Sequence, residues 1–182
     1  MMGNVHNEIP VRASNGARCD PGGHTEKGHE LHLASKPFRE LLIEVLHRGA
    51  AFRFKAKGFS MSPFIKDGDV ITVVPISSYE PHLGDVVVFT SPGTEELVIH
   101  RLVAKRDNSH VLIKGDNLPT REHLVAKRRI LGSAKRVQRD GRTVALGLGP
   151  EKALIALLSR RSLLLPLLHA LFHSTFLRRF SR

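Results

Sequence analysis

The pattern of hydrophobic and polar positions divides the chain into three segments. Residues 1–34 contain Gly, Asn, His and Pro clusters, as in NGARCDPGGHTEKGHE, without any apolar period, which predicts a disordered tail. This stretch has no apolar core typical of a signal peptide. Residues 35–147 predict one helix followed by a β domain, and residues 150–182 form a third, leucine-rich and basic segment.

The predicted helix begins at Ser35, a favourable N-cap, with Pro37 in its first turn, and it ends at Gly49. Apolar residues recur at three- and four-residue spacing, which predicts one buried face: Phe38, Leu41, Leu42, Val45 and Leu46. The helix is too short and too charged to cross a bilayer, so we expect it to pack on the domain or on a membrane surface.

From residue 51 onwards the pattern becomes that of strands. FRFKAK alternates, and β-branched runs follow: DVITVVPI, DVVVFT, ELVIHRLVAK, HVLIK, KRRILGSAKRV and RTVALG. Turn clusters such as KDGD, SPGT and RDNS separate these runs, and SPGT is a favourable hairpin turn. We therefore predict a mainly β fold, an antiparallel domain with an N-terminal helix and C-terminal amphipathic helices.

The last segment is apolar but interrupted by Arg160, Arg161 and Pro166. Its longest uncharged stretch, 162–177, has 16 residues, fewer than the ~20 that cross a bilayer. The pattern favours a pair of helices lying in the plane of a membrane surface. A buried core helix and a true span are the alternatives.

The net charge of +11 raises the question of a nucleic-acid partner. Residues 150–182 carry six basic residues and one acid, and 6 − 1 gives +5 of that charge. Basic charge among leucines suits an anionic membrane surface better than nucleic acid, which usually also requires aromatic stacking platforms. We expect peripheral membrane contact through residues 150–182 and no nucleic acid, and we interpret KRRILGSAKRVQR as a solvated strand.

Cysteine and histidine usage gives no prediction of a cofactor or a metal. Cys19 is the only cysteine, so no internal disulfide forms. His24, His29 and His32 lack the spacing of two zinc ligands on one helix face, so we predict no metal site.

Three short motifs carry candidate chemistry. In GFSMSP, Ser60 lies between Phe59 and Met61, and a serine in dry surroundings is useful when a neighbour accepts its proton. In VIHRLV, His100 shares a strand face with two apolar residues, while Arg101 points to the other side, where a structural ion pair is expected. In KGDN, Asp116 offers a carboxylate that could fix a histidine tautomer, although an Asx turn is the alternative.

These motifs, in the order Ser60, His100, Asp116, resemble the signal peptidase I and LexA-like superfamily of serine peptidases. Histidine where relatives carry lysine resembles the endoplasmic-reticulum and archaeal type of signal peptidase. The resemblance implies that Ser60 is the nucleophile, His100 the general base and Asp116 the group that orients it. The other Gly-Asp pairs, at Asp69 and Asp85, are assigned to turns.

The resemblance implies a serine endopeptidase that cleaves an extended, leader-like peptide, with Phe59 and Met61 as pocket walls. The oxyanion would bind the Ser60 N–H, because Gly58 replaces a hydroxyl residue that the family often has. The alternatives are a catalytically silent β domain that docks on a membrane or partner, or a LexA-like self-processing module. For the latter, residues 1–50 offer one helix and no Ala-Gly or Cys-Gly bond. We expect a cytoplasmic location or a peripheral one at the cytoplasmic membrane.

Overall fold

The computed structural model describes residues 36–76, 80–119 and 122–170. The predicted tail at 1–34, the predicted cap Ser35 and the end of the chain, 171–182, lie outside the described residues. The helices are α1 (Lys36–His47), α2 (Lys152–Arg160) and α3 (Leu164–Ala170). The strands are β1 (Phe52–Lys55), β2 (Val70–Pro75), β3 (Val86–Thr90), β4 (Leu97–Lys105), β5 (His110–Lys114), β6 (Glu122–Ala126), β7 (Ile130–Arg139) and β8 (Arg142–Thr143).

The strands form one sheet in the order β1-β2-β7-β3-β4-β5-β6, with β8 paired to β7, and every pairing is antiparallel. The mainly antiparallel β fold predicted from the sequence is therefore confirmed. The SPGT segment does connect two paired strands, since Thr90 of β3 lies opposite Leu97 of β4. Within KRRILGSAKRV, the strand begins only at Ile130, because Lys127–Arg129 form a turn of 3-10 helix.

Strand β4 lies between β3 and β5 in the sheet and is buried on both faces from Leu97 to Ala104. Alternate side chains of a strand point to opposite faces, so β4 contributes to two separate cores. Leu97 and Ile99 belong to a core that α1 covers, whereas Val98 and Leu102 belong to a second core around Phe89. Adjacent residues of β4 therefore lie in different surroundings, and this separation determines the site described below.

Helix α1 packs on the first core through Leu42 and Leu46. Leu41, which the periodicity placed on the same face, is 45% exposed. The buried stripe of the helix is thus narrower than predicted, because only side chains spaced four residues apart along one line of the helix surface reach the core.

The two C-terminal helices pack on the β domain. Ile155 of α2 and Leu164 of α3 are buried against Phe64, and the Lys152 ammonium donates to the Asp85 carboxylate at 2.5 Å. Residues of α2 and α3 therefore share a hydrophobic cluster with a residue of the β domain. The inner face of α2 is a core element, while its outer face carries exposed leucines.

Candidate active site

The GFSMSP turn directs three consecutive side chains to three different environments. Phe59 is 56% exposed, Ser60 is 1% exposed and Met61 is completely buried. Met61 packs in the first core with Leu42 and Ile65, so it anchors the turn from inside. Of the two predicted pocket walls, the structure thus places Met61 inside the fold and Phe59 at the surface.

Ser60 and His100 meet although they are forty residues apart in the chain. The Ser60 Oγ lies 3.1 Å from the His100 Nε2, and both side chains are buried. With Nε2 unprotonated, the hydroxyl donates to the ring and the histidine is in position to accept its proton. As the strand pattern predicted, His100 projects among apolar residues, next to the Phe89 ring at 6.3 Å between centroids.

Asp116 lies with Arg101 rather than with His100. Arg101 Nε donates to Asp116 Oδ1 at 2.8 Å, and Nη2 donates to Oδ2 at 2.7 Å, so the two groups form a bidentate pair with no exposed side-chain surface. Neighbouring residues of a strand point to opposite faces, so a carboxylate bonded to Arg101 lies on the far side of β4 from His100. The ion pair expected for Arg101 is present, and its acid is the residue that the sequence had assigned to His100.

The buried Arg101 guanidinium connects four parts of the chain. Besides the Asp116 carboxylate, its Nη1 donates to the carbonyl oxygens of Gly84 and Gly147 at 2.7 and 2.8 Å. Its charge also lies 5.5 Å from the centre of the Phe64 ring. Burial raises the pKa of the Asp116 carboxyl, and the Arg101 guanidinium opposes that rise.

The KGDN segment contributes backbone rather than a carboxylate to the Ser60–His100 pair. A side-chain carbon added to Gly115 would lie 2.8 Å from the Ser60 carbonyl oxygen and 3.0 Å from His100 Nε2. The next-but-one residue, Asn117, donates its backbone N–H to the Ser60 carbonyl at 2.8 Å and its amide to the Phe59 carbonyl at 3.2 Å. Gly115 therefore leaves the space that the pair occupies, and Asn117 holds the nucleophile turn in place.

A second histidine, His123, which lies in none of the three motifs, is beside His100. The rings of His100 and His123 have centroids 5.5 Å apart, and Phe89 lies 5.8 Å from His123. His123 stands opposite Ile113 in the sheet, and Ile113 stands opposite Leu102, so the register brings His123 to the His100 face. The EHLVA sequence alone does not predict that His123 lies beside His100, because this depends on how three strands pair.

Gly58 occupies the place where the resemblance leads one to expect a hydroxyl residue. Its φ of +96° lies in the left-handed region that favours glycine. Its N–H donates to Asp67 Oδ1 at 2.7 Å. The left-handed backbone conformation of the turn is therefore a reason for a glycine at this position, besides the absence of a hydroxyl group.

The other charged residues of these segments have structural partners elsewhere. Lys114 stands opposite Arg101, on the side away from His100, and its ammonium donates to the Ser159 carbonyl of α2 at 2.7 Å. Asp69 and Asp85 accept hydrogen bonds from the N–H groups of Lys66 and His82, as residues of turns do. The three tail histidines considered for a metal lie outside the described residues, and the described part of the chain contains no cluster of three potential metal ligands.

The described residues thus form a mainly antiparallel β domain in which a buried serine hydroxyl lies within hydrogen-bond distance of a histidine. Among known families, the Peptidase S24-like family matches residues 22–135, more than half of the chain. The chain therefore belongs to the Peptidase S24-like family, within the LexA and signal-peptidase-like superfamily. No curated protein matches the chain.

Proposed function

We propose that this protein is a serine endopeptidase that uses histidine as its base, as the endoplasmic-reticulum and archaeal signal peptidases do. The observation that carries the proposal is the 3.1 Å approach of Ser60 Oγ to His100 Nε2 in buried, largely apolar surroundings. Histidine is neutral in a large fraction of molecules near pH 7, so it can accept a proton without costly desolvation. A lysine would require that desolvation to become neutral.

In the proposed reaction, Ser60 Oγ attacks the scissile carbonyl carbon while His100 Nε2 takes the hydroxyl proton. The imidazolium then gives that proton to the leaving amine, and an acyl group stays on Ser60. A water molecule, deprotonated by His100, cleaves the ester and restores the serine. The Ser60 N–H is the predicted donor to the oxyanion.

The substrate would be an extended peptide bound beside the sheet, with small apolar residues before the cleaved bond. Phe59 is the surface residue next to the nucleophile and is the candidate wall for such a residue. Asn117, which holds the Phe59 carbonyl, fixes the position of that wall.

Replacing Ser60 with Ala tests the nucleophile. We expect loss of peptide cleavage and of labelling by a fluorophosphonate probe, with an unchanged unfolding midpoint, because the change removes one oxygen and little packing. The measurement combines cleavage of a proteome-derived peptide library, probe labelling and thermal unfolding of both proteins. Wild-type cleavage by the alanine variant would exclude Ser60 as the nucleophile, and Ser62→Ala is the matched control within the same turn.

A second candidate function, self-processing, is favoured by the low exposure of Ser60, 1%. A nucleophile inside the fold suits a substrate segment that is tethered to the same chain, since tethering raises its effective concentration. Intact mass spectrometry of the wild-type protein and of Ser60→Ala after incubation separates the two functions. A discrete cut that is present only in the wild type and independent of protein concentration would favour self-processing.

A further inference from the structure

The two C-terminal helices and the bend between them carry several exposed leucines. Ile155 and Leu164 face inward onto Phe64, so the helices are held on the domain by the side opposite to the exposed leucines. The outward side chains are large, apolar and 43–59% exposed: Leu154, Leu157, Leu163 and Leu167. We call these four residues, together with Arg160 and Arg161, the leucine face. Apolar patches of this kind usually mark a contact surface.

The charge at the leucine face is of one sign. Arg160 and Arg161 are both exposed between the two helices. The acid nearest to these arginines in the sequence, Glu151, accepts hydrogen bonds from the N–H groups of Gly147 and Gly149 at 2.6 and 3.1 Å. From residue 152 to the end, the sequence contains no Asp or Glu. A partner that covers the leucines must therefore also accept cations.

We propose that the leucine face docks on the surface of an anionic lipid bilayer. Leucines supply apolar area to the headgroup boundary, and arginines at its edge interact with anionic headgroups. A second copy of this chain would bring the same two arginines together across the contact, which like charges oppose. Nucleic acid would use the cations but leave the leucines exposed to water, since aliphatic side chains are poor platforms for bases.

The bend between the two helices is held against the β domain. Among the described residues, no single helix is long and apolar enough to span a membrane; α2 and α3 meet that criterion only as a pair, and they are bent by 108° at Arg161–Leu163. Ser162 in this bend donates to the Pro119 carbonyl at 2.7 Å, and Lys114 also donates to that carbonyl, at 2.9 Å. The bend is thus tied to the β domain, which keeps both helices on its surface.

The same contacts connect the leucine face to the proposed site. Pro119 follows the segment whose Asn117 holds Phe59 and Ser60, and Phe64 links the nucleophile turn to α2. Docking would therefore fix the orientation of Ser60 relative to the bilayer, favouring peptides that lie at the membrane surface. This consequence rests on the proposed function, whereas docking itself does not.

The test is sedimentation of the full chain with vesicles of phosphatidylcholine alone or with added phosphatidylserine, at low and high salt. Arg160→Gln with Arg161→Gln should weaken binding to the anionic vesicles about 30-fold, from the usual contribution of two cations at such a surface. Leu157→Gln with Leu163→Gln should also release the protein. Leu124→Gln and Arg128→Gln, exposed residues on β6 and the 3-10 turn, are the matched controls and should bind like the wild type.

Equal binding to both kinds of vesicle, or wild-type binding by either double variant, would overturn the proposal. A leucine variant that changes the oligomeric state in analytical ultracentrifugation without lipid would instead assign the face to a second copy of the chain. Ser60→Ala should bind vesicles like the wild type, so a failure of the proposed peptidase and a failure of docking are distinguishable.

Discussion

Gly115 is the residue whose size most directly limits the Ser60–His100 pair. In Gly115→Ala, the new methyl group would lie 2.8 Å from the Ser60 carbonyl oxygen and 3.0 Å from His100 Nε2, closer than carbon atoms normally approach. We expect the two side chains to move apart and fluorophosphonate labelling of Ser60 to fall by at least about tenfold, since misplacement by about 1 Å can cost 10²-fold.

Thermal unfolding measured alongside labelling separates this effect from a general loss of structure. Gly141→Ala is the control: nothing lies within 4 Å of the added carbon, and its φ of +75° means that the substitution introduces backbone strain in the turn between β7 and β8 instead. Normal labelling in Gly115→Ala would show that the pair tolerates the methyl group and that its distance is not critical.

Asp116 has two possible roles that one substitution separates. In Asp116→Asn, the Arg101 charge stays buried without its carboxylate, and breaking a buried pair in this way typically costs about 3–5 kcal/mol of unfolding free energy. We therefore expect a large loss of stability in urea unfolding, with the pH dependence of any remaining activity unchanged. The predicted role in orienting His100 would instead appear as wild-type stability with an altered pH profile.

At the scale of elements, α2 combines a core face and a surface face within two adjacent residues. Ile155 is 6% exposed and packs against Phe64, whereas Leu154 is 59% exposed. We expect Ile155→Ala to lower the unfolding free energy by about 2–4 kcal/mol, as deletion of buried methyl groups does. Leu154→Ala, the matched control, should change it by less than about 0.5 kcal/mol. Urea unfolding measures both, and equal effects would mean that α2 is not anchored through Ile155.

At the scale of the whole molecule, Asp69 contributes to stability against acid. Burial by itself raises the pKa of Asp69, but the Arg139 guanidinium and the Lys66 N–H outweigh burial and hold that pKa below the ordinary value of 3.8. An acid whose pKa is lower in the folded state stabilises the fold above its unfolded value, and this stability is lost as pH falls through the folded pKa.

The variant Asp69→Asn should accordingly be less stable than the wild type by about 1.5–3 kcal/mol at neutral pH, the usual range for hydrogen bonds to a charged group. The difference should shrink as the pH falls below about 3.8. Urea unfolding across this pH range checks it, with Glu40→Gln as an exposed control whose effect should stay small throughout. A difference that does not change with pH would mean that the Asp69 charge is not what stabilises the fold.

The sequence determined the β class of the domain, the SPGT hairpin and the faces of strand β4. These follow from local rules: alternation decides which side a residue faces, so His100 was correctly placed among apolar neighbours and Arg101 in an ion pair. The GFSMSP motif likewise indicated a serine in dry surroundings, and the structure shows Ser60 buried.

What only the tertiary structure decided is which groups meet across the sheet. Asp116 is close to His100 in the order of motifs, yet the path of the chain after β5 brings it to Arg101, and register across three strands brings His123 to His100 instead. The same holds for α2. Its inner face is buried because Ile155 packs against Phe64, which is ninety-one residues earlier in the sequence. Contacts between distant segments depend on how the whole sheet closes, and no local pattern carries that information.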